Sequence, residues 1–390
     1  MGDTCELCLR AALEPVYKPE RSPRGLTVYL CAACGLLQSL PRVDRAARAP
    51  AAVSAGADWG NVRYGKGFRT QIAIDALRRH GDFTAESTLL DVGSNRGSFA
   101  HALLDAAPHI RLTAVEPDER VAAACAGLPR TELIQARIEN TAFETRRFDA
   151  IHSCHTIEHL IHPARTLADH HRTLKDGGLL VLDAPNTALL ASDDIVEEWF
   201  IDKHLYHFSE RTLTRMITAA GFTILERPDP KDRSNLFFVA RKTARAPSHA
   251  GVDLDEAGRA RDLIATYMAN RARNMAALIA VASELLRLAP RRVAMWGAGR
   301  LFDSLVTHGR FDATMLTLLI DKHLKAHVGE RHGCTLAGPE ALAGADPGVV
   351  VVMSRDFAGE IADEVTRLTP GAEIILYTDL IAQARMRLAA

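Results

Sequence analysis

The sequence contains no long apolar run and no excess of charge of one sign. No stretch reaches the roughly 18 consecutive apolar residues that a membrane-spanning helix needs, and the first residues carry no apolar segment typical of a secretory signal. The 390 residues include 47 Lys and Arg against 48 Asp and Glu, a balance that does not indicate nucleic acid or an anionic membrane as a partner. We therefore expect a cytoplasmic globular protein with neither kind of partner.

Cysteine is scarce as well, and four of the seven cysteines stand in two Cys-x-x-Cys pairs separated by 22 residues. In a cytoplasmic protein such pairs indicate metal ligands rather than disulfides. Two pairs close a tetrahedral site with no open position, so we expect a structural zinc ion in a module over residues 1–48. The predicted ligands are Cys5, Cys8, Cys31 and Cys34.

The best-known phosphate-binding signatures are also missing, because no Gly-Lys-Ser/Thr and no complete G-x-G-x-x-G occurs near residue 90. Instead, residues 89–99 read LLDVGSNRGSF: a buried strand ending in Asp91, a turn-rich loop, and the start of a helix. This pattern predicts the first unit of a doubly wound α/β sheet, whose ligands bind at the carboxyl ends of the strands. Gly93 and Gly97 allow sharp turns and close approach to a ligand, and Asn95 tolerates a positive φ.

A second predicted strand ends in Glu116, 25 residues after Asp91. An acid at this place accepts hydrogen bonds from ribose hydroxyls in nucleoside sites. The two segments, with AVEP at residues 114–117, resemble the first two motifs of class I S-adenosylmethionine (SAM) methyltransferases. An ordinary domain of this kind that binds another nucleotide stays open as an alternative.

The form VGSNRGSF most resembles the deoxysugar C-methyltransferases, and YLCAACGLLQSLP at residues 29–41 resembles the zinc-binding module that precedes sugar methyltransferase domains. The resemblance implies a SAM-binding domain over residues 58–243, with a seven-stranded, mostly parallel sheet whose final strand is antiparallel. The SAM-binding residues expected from these patterns are Asp91, Gly93, Ser94, Asn95, Gly97, Glu116, Ile138 and His155.

Two further segments predict the residues that lie near the molecule that accepts the methyl group. HTIEHLIHP at residues 155–163 resembles the floor of methyltransferase active sites, and the spacing of His155 and His159 predicts that they share one face of a helix. DKHLYHFS at residues 202–209 resembles the deoxysugar segment E-H-x-x-Y-F-S, which implies that His204 is the catalytic base and that His159 lies near the acceptor. The same resemblance suggests a functional role for Tyr64.

Two departures from that segment bear on the chemistry. Lys203 stands where the deoxysugar enzymes have a glutamate, and His207 stands where they have a tyrosine. A glutamate would raise the pKa of the neighbouring base, whereas a lysine lowers it. The sequence therefore favours O-methylation of a sugar hydroxyl, with C-methylation still open.

Residues 253–289 are predicted to form a helical connector and residues 290–390 a second, Rossmann-like domain. RRVAMWGAGRLFDSLV at residues 291–306 reads as strand, glycine turn and helix, and the next strand ends in Asp321. Phe302 replaces the third glycine of the fingerprint, so we expect no bound dinucleotide. The resemblance implies a domain that helps to hold a nucleotide-sugar acceptor; a docking or dimerisation domain, and hence a homodimer, is the alternative.

Together these patterns predict a SAM-dependent methyltransferase that modifies a sugar, either nucleotide-linked or within a glycan. One alternative is a zinc-ribbon RNA base methyltransferase, although residues 1–48 hold only seven basic against five acidic residues. The other is a non-catalytic zinc-ribbon adaptor with a degenerate domain. Glu116 and the segment HTIEHL argue against the adaptor, because a domain without activity has no need of them.

Overall fold

The computed structural model describes residues 4–20, 22–42, 68–84, 86–229, 234–326, 328–355 and 357–389. The chain divides into two compact units. Among the described residues, the first unit takes those within 4–42, 68–189 and 200–264, and the second takes those within 190–199 and 265–389. Tyr64 and most of the Ala- and Pro-rich segment at 41–57, which the sequence predicts to be a linker, lie outside the described residues.

The first unit contains two β-sheets and the helices that cover the larger one. Its strands are β1 (Leu13–Tyr17), β2 (Thr27–Cys31), β3 (Leu37–Leu40), β4 (Thr88–Val92), β5 (Arg111–Val115), β6 (Thr131–Ile134), β7 (Phe148–Cys154), β8 (Leu174–Pro185), β9 (Tyr206–His207), β10 (Phe222–Glu226) and β11 (Asn235–Lys242). Its helices are α1 (Phe68–His80), α2 (Ser98–Ala106), α3 (Glu119–Ala122), α4 (Pro163–Thr173) and α5 (Glu210–Ala219), and α6 (Leu254–Leu286) begins in it.

The larger sheet has seven strands in the order β10-β11-β8-β7-β4-β5-β6. Its neighbours pair in parallel except at β11, which is antiparallel to both β8 and β10. The central strands are buried along nearly their whole length, as expected for parallel strands with helices on both faces. This confirms the predicted seven-stranded sheet with an antiparallel final strand.

The smaller sheet has four antiparallel strands in the order β1-β2-β3-β9. The first three strands come from the cysteine-bearing N-terminal segment. The fourth, β9, belongs to the aromatic segment far along the chain and pairs Leu37 with His207 and Gln38 with Tyr206. The N-terminal segment therefore shares a sheet with the segment predicted to carry the catalytic base.

The second unit is built on a six-stranded sheet in the order β14-β15-β13-β12-β16-β17. All neighbours are parallel except the short edge strand β14. Its apolar core gathers residues of the helices and the buried valine run of β16. The elements are β12 (Val293–Trp296), α7 (Arg300–Thr307), β13 (Leu318–Ile320), β14 (Glu330–Arg331), β15 (Cys334–Ala337), α8 (Ala341–Ala345), β16 (Val349–Val352), α9 (Ala358–Leu368), β17 (Glu373–Leu376) and α10 (Tyr377–Ala389).

The structure corrects one local prediction. His155 and His159 do not share a face of an α-helix, because only the short 3-10 helix Ile157–His159 forms there. His155 adopts a positive φ of 45°, and its N–H donates to the Asp183 carboxylate at 2.8 Å. This contact fixes His155 outside helical geometry.

No helix among the described residues is long and apolar enough to cross a bilayer.

Candidate active site

The candidate site lies at the carboxyl ends of the central strands of the seven-stranded sheet. From β4 the chain runs outward through β5 and β6, and it then returns to the other side of β4 as β7. Ligands of open α/β sheets bind in the crevice at such a switch point. The segments that follow β4, β5, β7 and β8 therefore supply the candidate residues.

The loop after β4 has the sharply turned backbone that the sequence predicts. Gly93, Asn95 and Gly97 have positive φ angles of 73°, 49° and 74°. A Cβ atom at Gly93 would lie 2.3 Å from Oγ1 of Thr156, which follows β7. Glycine is therefore required here both for its φ and for the close approach of the two loops.

Glu116 joins two loops through its carboxylate. It accepts hydrogen bonds from the Asn95 N–H and from the Asp118 N–H, both at 2.9 Å. Burial raises the pKa of Glu116 above its ordinary value, and the two amide donors oppose that rise. The predicted ribose-binding acid is therefore fixed in place at the carboxyl end of β5.

Asp91, inside β4, pairs with a histidine that the sequence did not single out. Its Oδ1 lies 2.7 Å from Nδ1 of His152, and the His152 ring stacks on Phe99 with 3.7 Å between ring centroids. The other oxygen of Asp91 is buried and has no hydrogen-bond partner in the described part of the chain. That oxygen could accept a hydrogen bond from a cationic ligand group.

A buried polar network lies at the end of β8. The Arg69 guanidinium donates to Asp183 at 3.1 Å and to Asn235 at 3.3 Å. Burial alone would raise the pKa of Asp183, but Arg69 and His155 outweigh it and hold the pKa below its ordinary value. Sequence reasoning missed these residues as a group, although an acid at the carboxyl end of the fifth strand was a usable signal for Asp183.

His155 joins this network through its other atoms. Its Nε2 lies 2.5 Å from Oδ1 of Asn235. Burial, together with the nearby Arg69 cation, lowers the pKa of His155 to about 3. His155 is therefore neutral at physiological pH.

Glu158, His159 and His204 form a second polar group, which we call the glutamate–histidine cluster. Oε1 of Glu158 lies 3.7 Å from Nε2 of His159 and 4.0 Å from Nε2 of His204. Burial raises the pKa of Glu158 to about 8 and lowers that of His204 well below its ordinary value. The structure thus brings together two of the three predicted catalytic residues, around a glutamate that the sequence did not assign.

The predicted adenine contact falls in the 3-10 helix Ile138–Asn140. Ile138 packs against the buried core of the unit. Glu139 pairs with Arg137 at 2.6 Å and accepts the Ile161 and His162 N–H groups at 2.8 and 3.0 Å. Glu139 therefore holds the loop after β7, and adenine recognition at Ile138 stays a prediction.

The four predicted zinc ligands form one buried cluster. Sγ of Cys5 lies 3.5 Å from that of Cys34, Sγ of Cys8 lies 3.6 Å from that of Cys31, and all four lie within 4.8 Å of one another. Tetrahedral zinc with bonds of about 2.3 Å needs sulfur atoms about 3.8 Å apart. The four-cysteine cluster therefore fits a zinc ion.

The aromatic segment is fixed between the N-terminal strands and the glutamate–histidine cluster. On one side, the Ser39 N–H donates to the Leu205 carbonyl at 2.8 Å, and Oγ of Ser39 lies 2.9 Å from Nε2 of His207. On the other side, the Leu205 N–H donates to the Glu158 carbonyl at 2.7 Å. Backbone contacts thus hold His204 beside Glu158.

Comparison with known proteins finds a matching family model and several similar solved structures. Residues 66–227 match the family model described as a methyltransferase domain, and among curated proteins none matches the sequence. Similar solved structures include a SAM-dependent methyltransferase from Mesorhizobium loti (19% identity, 43% of this chain and 96% of that one, TM-score 0.35) and one from Aquifex aeolicus (14%, 47% and 98%, 0.38). The [4+2]-cyclase SpnF is similar to the same degree (18%, 46% and 81%, 0.37). Likeness at this level identifies no substrate.

Proposed function

We propose that this chain, a SAM-dependent methyltransferase with its methyltransferase domain at residues 66–227, transfers the methyl group to a hydroxyl of a nucleotide-linked or glycan-bound sugar. In the reaction, the acceptor oxygen bonds to the methyl carbon, the C–S bond breaks with its electrons going to sulfur, and the hydroxyl proton leaves. SAM carries an activated methyl group, so the protein has to align the two reactants and accept the proton.

The observation that carries this proposal is the glutamate–histidine cluster. Glu158 is 1% exposed, and neither of its oxygens has a hydrogen-bond partner among the described residues. A buried carboxyl group without hydrogen-bond partners is costly in either protonation state, so an apolar acceptor would leave the cost in place. A polyhydroxylated acceptor would offer donors to it.

For the cofactor, we propose that Glu116 binds the ribose hydroxyls of SAM. Asp91, Gly93, Ser94, Asn95 and Gly97 would shape the part of the site that holds the methionine moiety, with Ile138 at the adenine and His155 on the floor of the site. The support is their shared position at the carboxyl ends of β4, β5 and β7, the place expected for a nucleoside ligand.

For the proton, we propose His204 as the acceptor, with His159 near the sugar and Tyr64 as a further candidate. Glu158 lies 4.0 Å from His204, but burial favours its neutral form, so it does not replace the glutamate that Lys203 displaces. The argument from sequence against a carbon acceptor therefore stands. O-methylation stays our proposal, because it needs no carbanion.

We further propose that the four-cysteine cluster holds a structural zinc ion and that the second unit is a Rossmann-like domain without a bound dinucleotide. For the second unit, the support is Arg355, which follows β16. Its guanidinium forms ion pairs with Asp194 and, at 2.6 Å, with Glu197. The group therefore offers no net positive charge to a phosphate. A homodimer formed through this unit and a cytoplasmic location stay predictions.

The test is to incubate the full chain with SAM and a panel of nucleotide sugars, and to follow the product by mass spectrometry and NMR. We expect a mass gain of one methylene unit with a new methoxy signal. A C-methyl signal would move the acceptor atom to carbon, and methylation of RNA but of no sugar would overturn the proposal.

A further inference from the structure

The glutamate–histidine cluster has more acceptor atoms than donors. Both oxygens of Glu158 are buried without a hydrogen-bond partner in the described ranges, although most buried polar groups in proteins are paired. Nitrogen atoms of His155, His159 and His204 lie 3.5, 3.7 and 4.0 Å from one of these oxygens, Oε1. Whether these nitrogen atoms carry a hydrogen decides whether they attract or repel that oxygen.

The tautomer of His159 follows from its second nitrogen. Its Nδ1 lies 2.7 Å from the Lys203 carbonyl oxygen, and a carbonyl oxygen can only accept. Nδ1 therefore carries the hydrogen, and in the neutral ring Nε2 carries a lone pair. That Nε2 lies 3.7 Å from Oε1 of Glu158.

His155 is hydrogen-bonded through the other ring nitrogen, Nε2, and it also directs a lone pair towards Glu158. Its Nε2 donates to the Asn235 amide oxygen at 2.5 Å, so the lone pair of the neutral ring is on Nδ1. That Nδ1 lies 3.5 Å from the same oxygen of Glu158. Two histidines, each fixed through its second nitrogen, thus direct lone pairs towards one buried carboxylate.

Lone pairs and a carboxylate facing one another repel unless positive charge lies between them. Lys203 and Arg69 also place positive charge near Glu158, whereas a proton on Glu158 or a metal cation would place it directly between the facing atoms. The ligand atoms of Glu158, His159 and His204 lie within 4.8 Å of one another. The bond from His159 to a backbone carbonyl is the outer contact that metal-bound histidines usually make.

We propose that Glu158, His159 and His204 bind one divalent transition-metal ion, separate from the four-cysteine cluster. Two imidazoles and a carboxylate suit zinc, cobalt or iron(II) and leave coordination positions open for acceptor oxygens. The role of the ion rests on the proposed function. The ion would lower the pKa of a bound sugar hydroxyl, whose proton then leaves to solvent as the oxygen attacks the methyl carbon. His204 is then a ligand, whereas without the ion it is the proton acceptor proposed above.

Cobalt(II) added to the full chain tests the site without any acceptor. We expect one equivalent to bind with the weak visible bands of nitrogen and oxygen ligands, and zinc should displace it. Cobalt that enters the four-cysteine cluster is distinguished by its intense sulfur-to-metal charge-transfer band. In Glu158→Gln, which keeps the shape of the side chain, binding at the first site should weaken by at least about 10-fold.

Glu144→Gln is the matched control, because Glu144 is exposed and lies outside the cluster. If Glu158→Gln does not fold, the test uses cobalt binding by His159→Gln and the displacement of cobalt by zinc in the wild type. The proposal is overturned if wild type binds no cobalt beyond the sulfur site, if Glu158→Gln binds it as tightly, or if an infrared band of a protonated carboxyl, absent in Glu158→Gln, persists in metal-loaded protein. None of these outcomes bears on whether a sugar is methylated.

Discussion

At the scale of single residues, Glu116 gives the sharpest test of cofactor binding. Glu116→Ala removes a carboxylate that accepts two backbone N–H groups and, as proposed, the two ribose hydroxyls. We expect the free energy of SAM binding to become less favourable by about 2–4 kcal/mol, the contribution expected of charge-assisted hydrogen bonds to a ribose. Calorimetry with SAM measures this change. The control is Glu119→Ala, because Glu119 is exposed at the start of α3, and this variant should bind SAM normally. Unchanged affinity in Glu116→Ala would remove the ribose role.

His204 can be tested at the same scale. As proton acceptor or as metal ligand, it is needed for turnover and not for the cofactor. His204→Ala should therefore lose about 10²–10⁴-fold in kcat while SAM binding stays intact. Exposed His109→Ala is the control. If His204→Ala turns over its sugar at a near-normal rate, the proton acceptor must be sought at His159 or Tyr64.

Glu197 in the second unit offers a stability test that depends on pH. Burial would raise its pKa, but Arg355 outweighs this and lowers it to about 2. A carboxylate whose pKa is lowered on folding stabilises the folded state above its ordinary pKa, and the gain disappears as the pH falls towards 2. Glu197→Ala leaves Arg355 short of a buried partner, so we expect a loss of about 3 kcal/mol at pH 7.

Urea denaturation followed by the fluorescence of Trp199 and Trp296, both in this unit, measures the change. The difference from wild type should shrink between pH 4.5 and pH 2. Glu373→Ala is the control, because its pair with Arg291 at 2.7 Å is about half exposed and should contribute at most about 1 kcal/mol. Equal losses in both variants would show that burial of the Arg355 pair contributes nothing.

At the scale of elements, the pairing of β3 with β9 changes the expected effect of losing the proposed zinc ion. Cys31→Ser should release the metal and loosen the four-stranded sheet, because the ligand set holds its N-terminal strands together. The seven-stranded sheet should stay folded and bind SAM, whereas turnover should fall because β9 adjoins His204. Metal analysis, calorimetry and product formation measure the three effects.

Cys334→Ser is the matched control, since Cys334 is a partly buried cysteine outside the cluster. It should keep both zinc and turnover. Zinc retained in Cys31→Ser would contradict the ligand assignment, and full turnover after zinc loss would contradict the link through β9.

The same pairing shows where sequence reasoning stops at this scale. The strands β4, β5, β7 and β8 of the large sheet are predictable because each is mostly a buried apolar run. The two-residue strand β9 carries no periodicity, and its partner β3 lies more than 160 residues earlier in the chain. Likewise, the helix expected over His155 and His159 does not form, because a distant carboxylate, Asp183, holds the His155 backbone.

At the scale of the whole molecule, motifs predicted which residues gather at the carboxyl ends of the strands more fully than they predicted the contacts among them. The glycine loop, Glu116 and the four cysteines were predictable because their chemistry depends on local spacing. The pairs of Asp91 with His152 and of Arg69 with Asp183 depend on which strands become neighbours. Glu158 was visible in its motif, but only the fold shows that three histidines surround its carboxylate.

The sheet shared by the N-terminal segment and the aromatic segment has a kinetic consequence. Oxidants attack thiolates and chelators remove metal ions, and the four-cysteine cluster, proposed to hold zinc, includes Cys31 of β2 in the sheet whose strand β9 adjoins His204. Such agents should lower kcat while leaving the KM for SAM unchanged, which is noncompetitive inhibition towards the cofactor. Loss of the proposed zinc would then reach the site of methyl transfer through the two residue pairs that join β3 to β9.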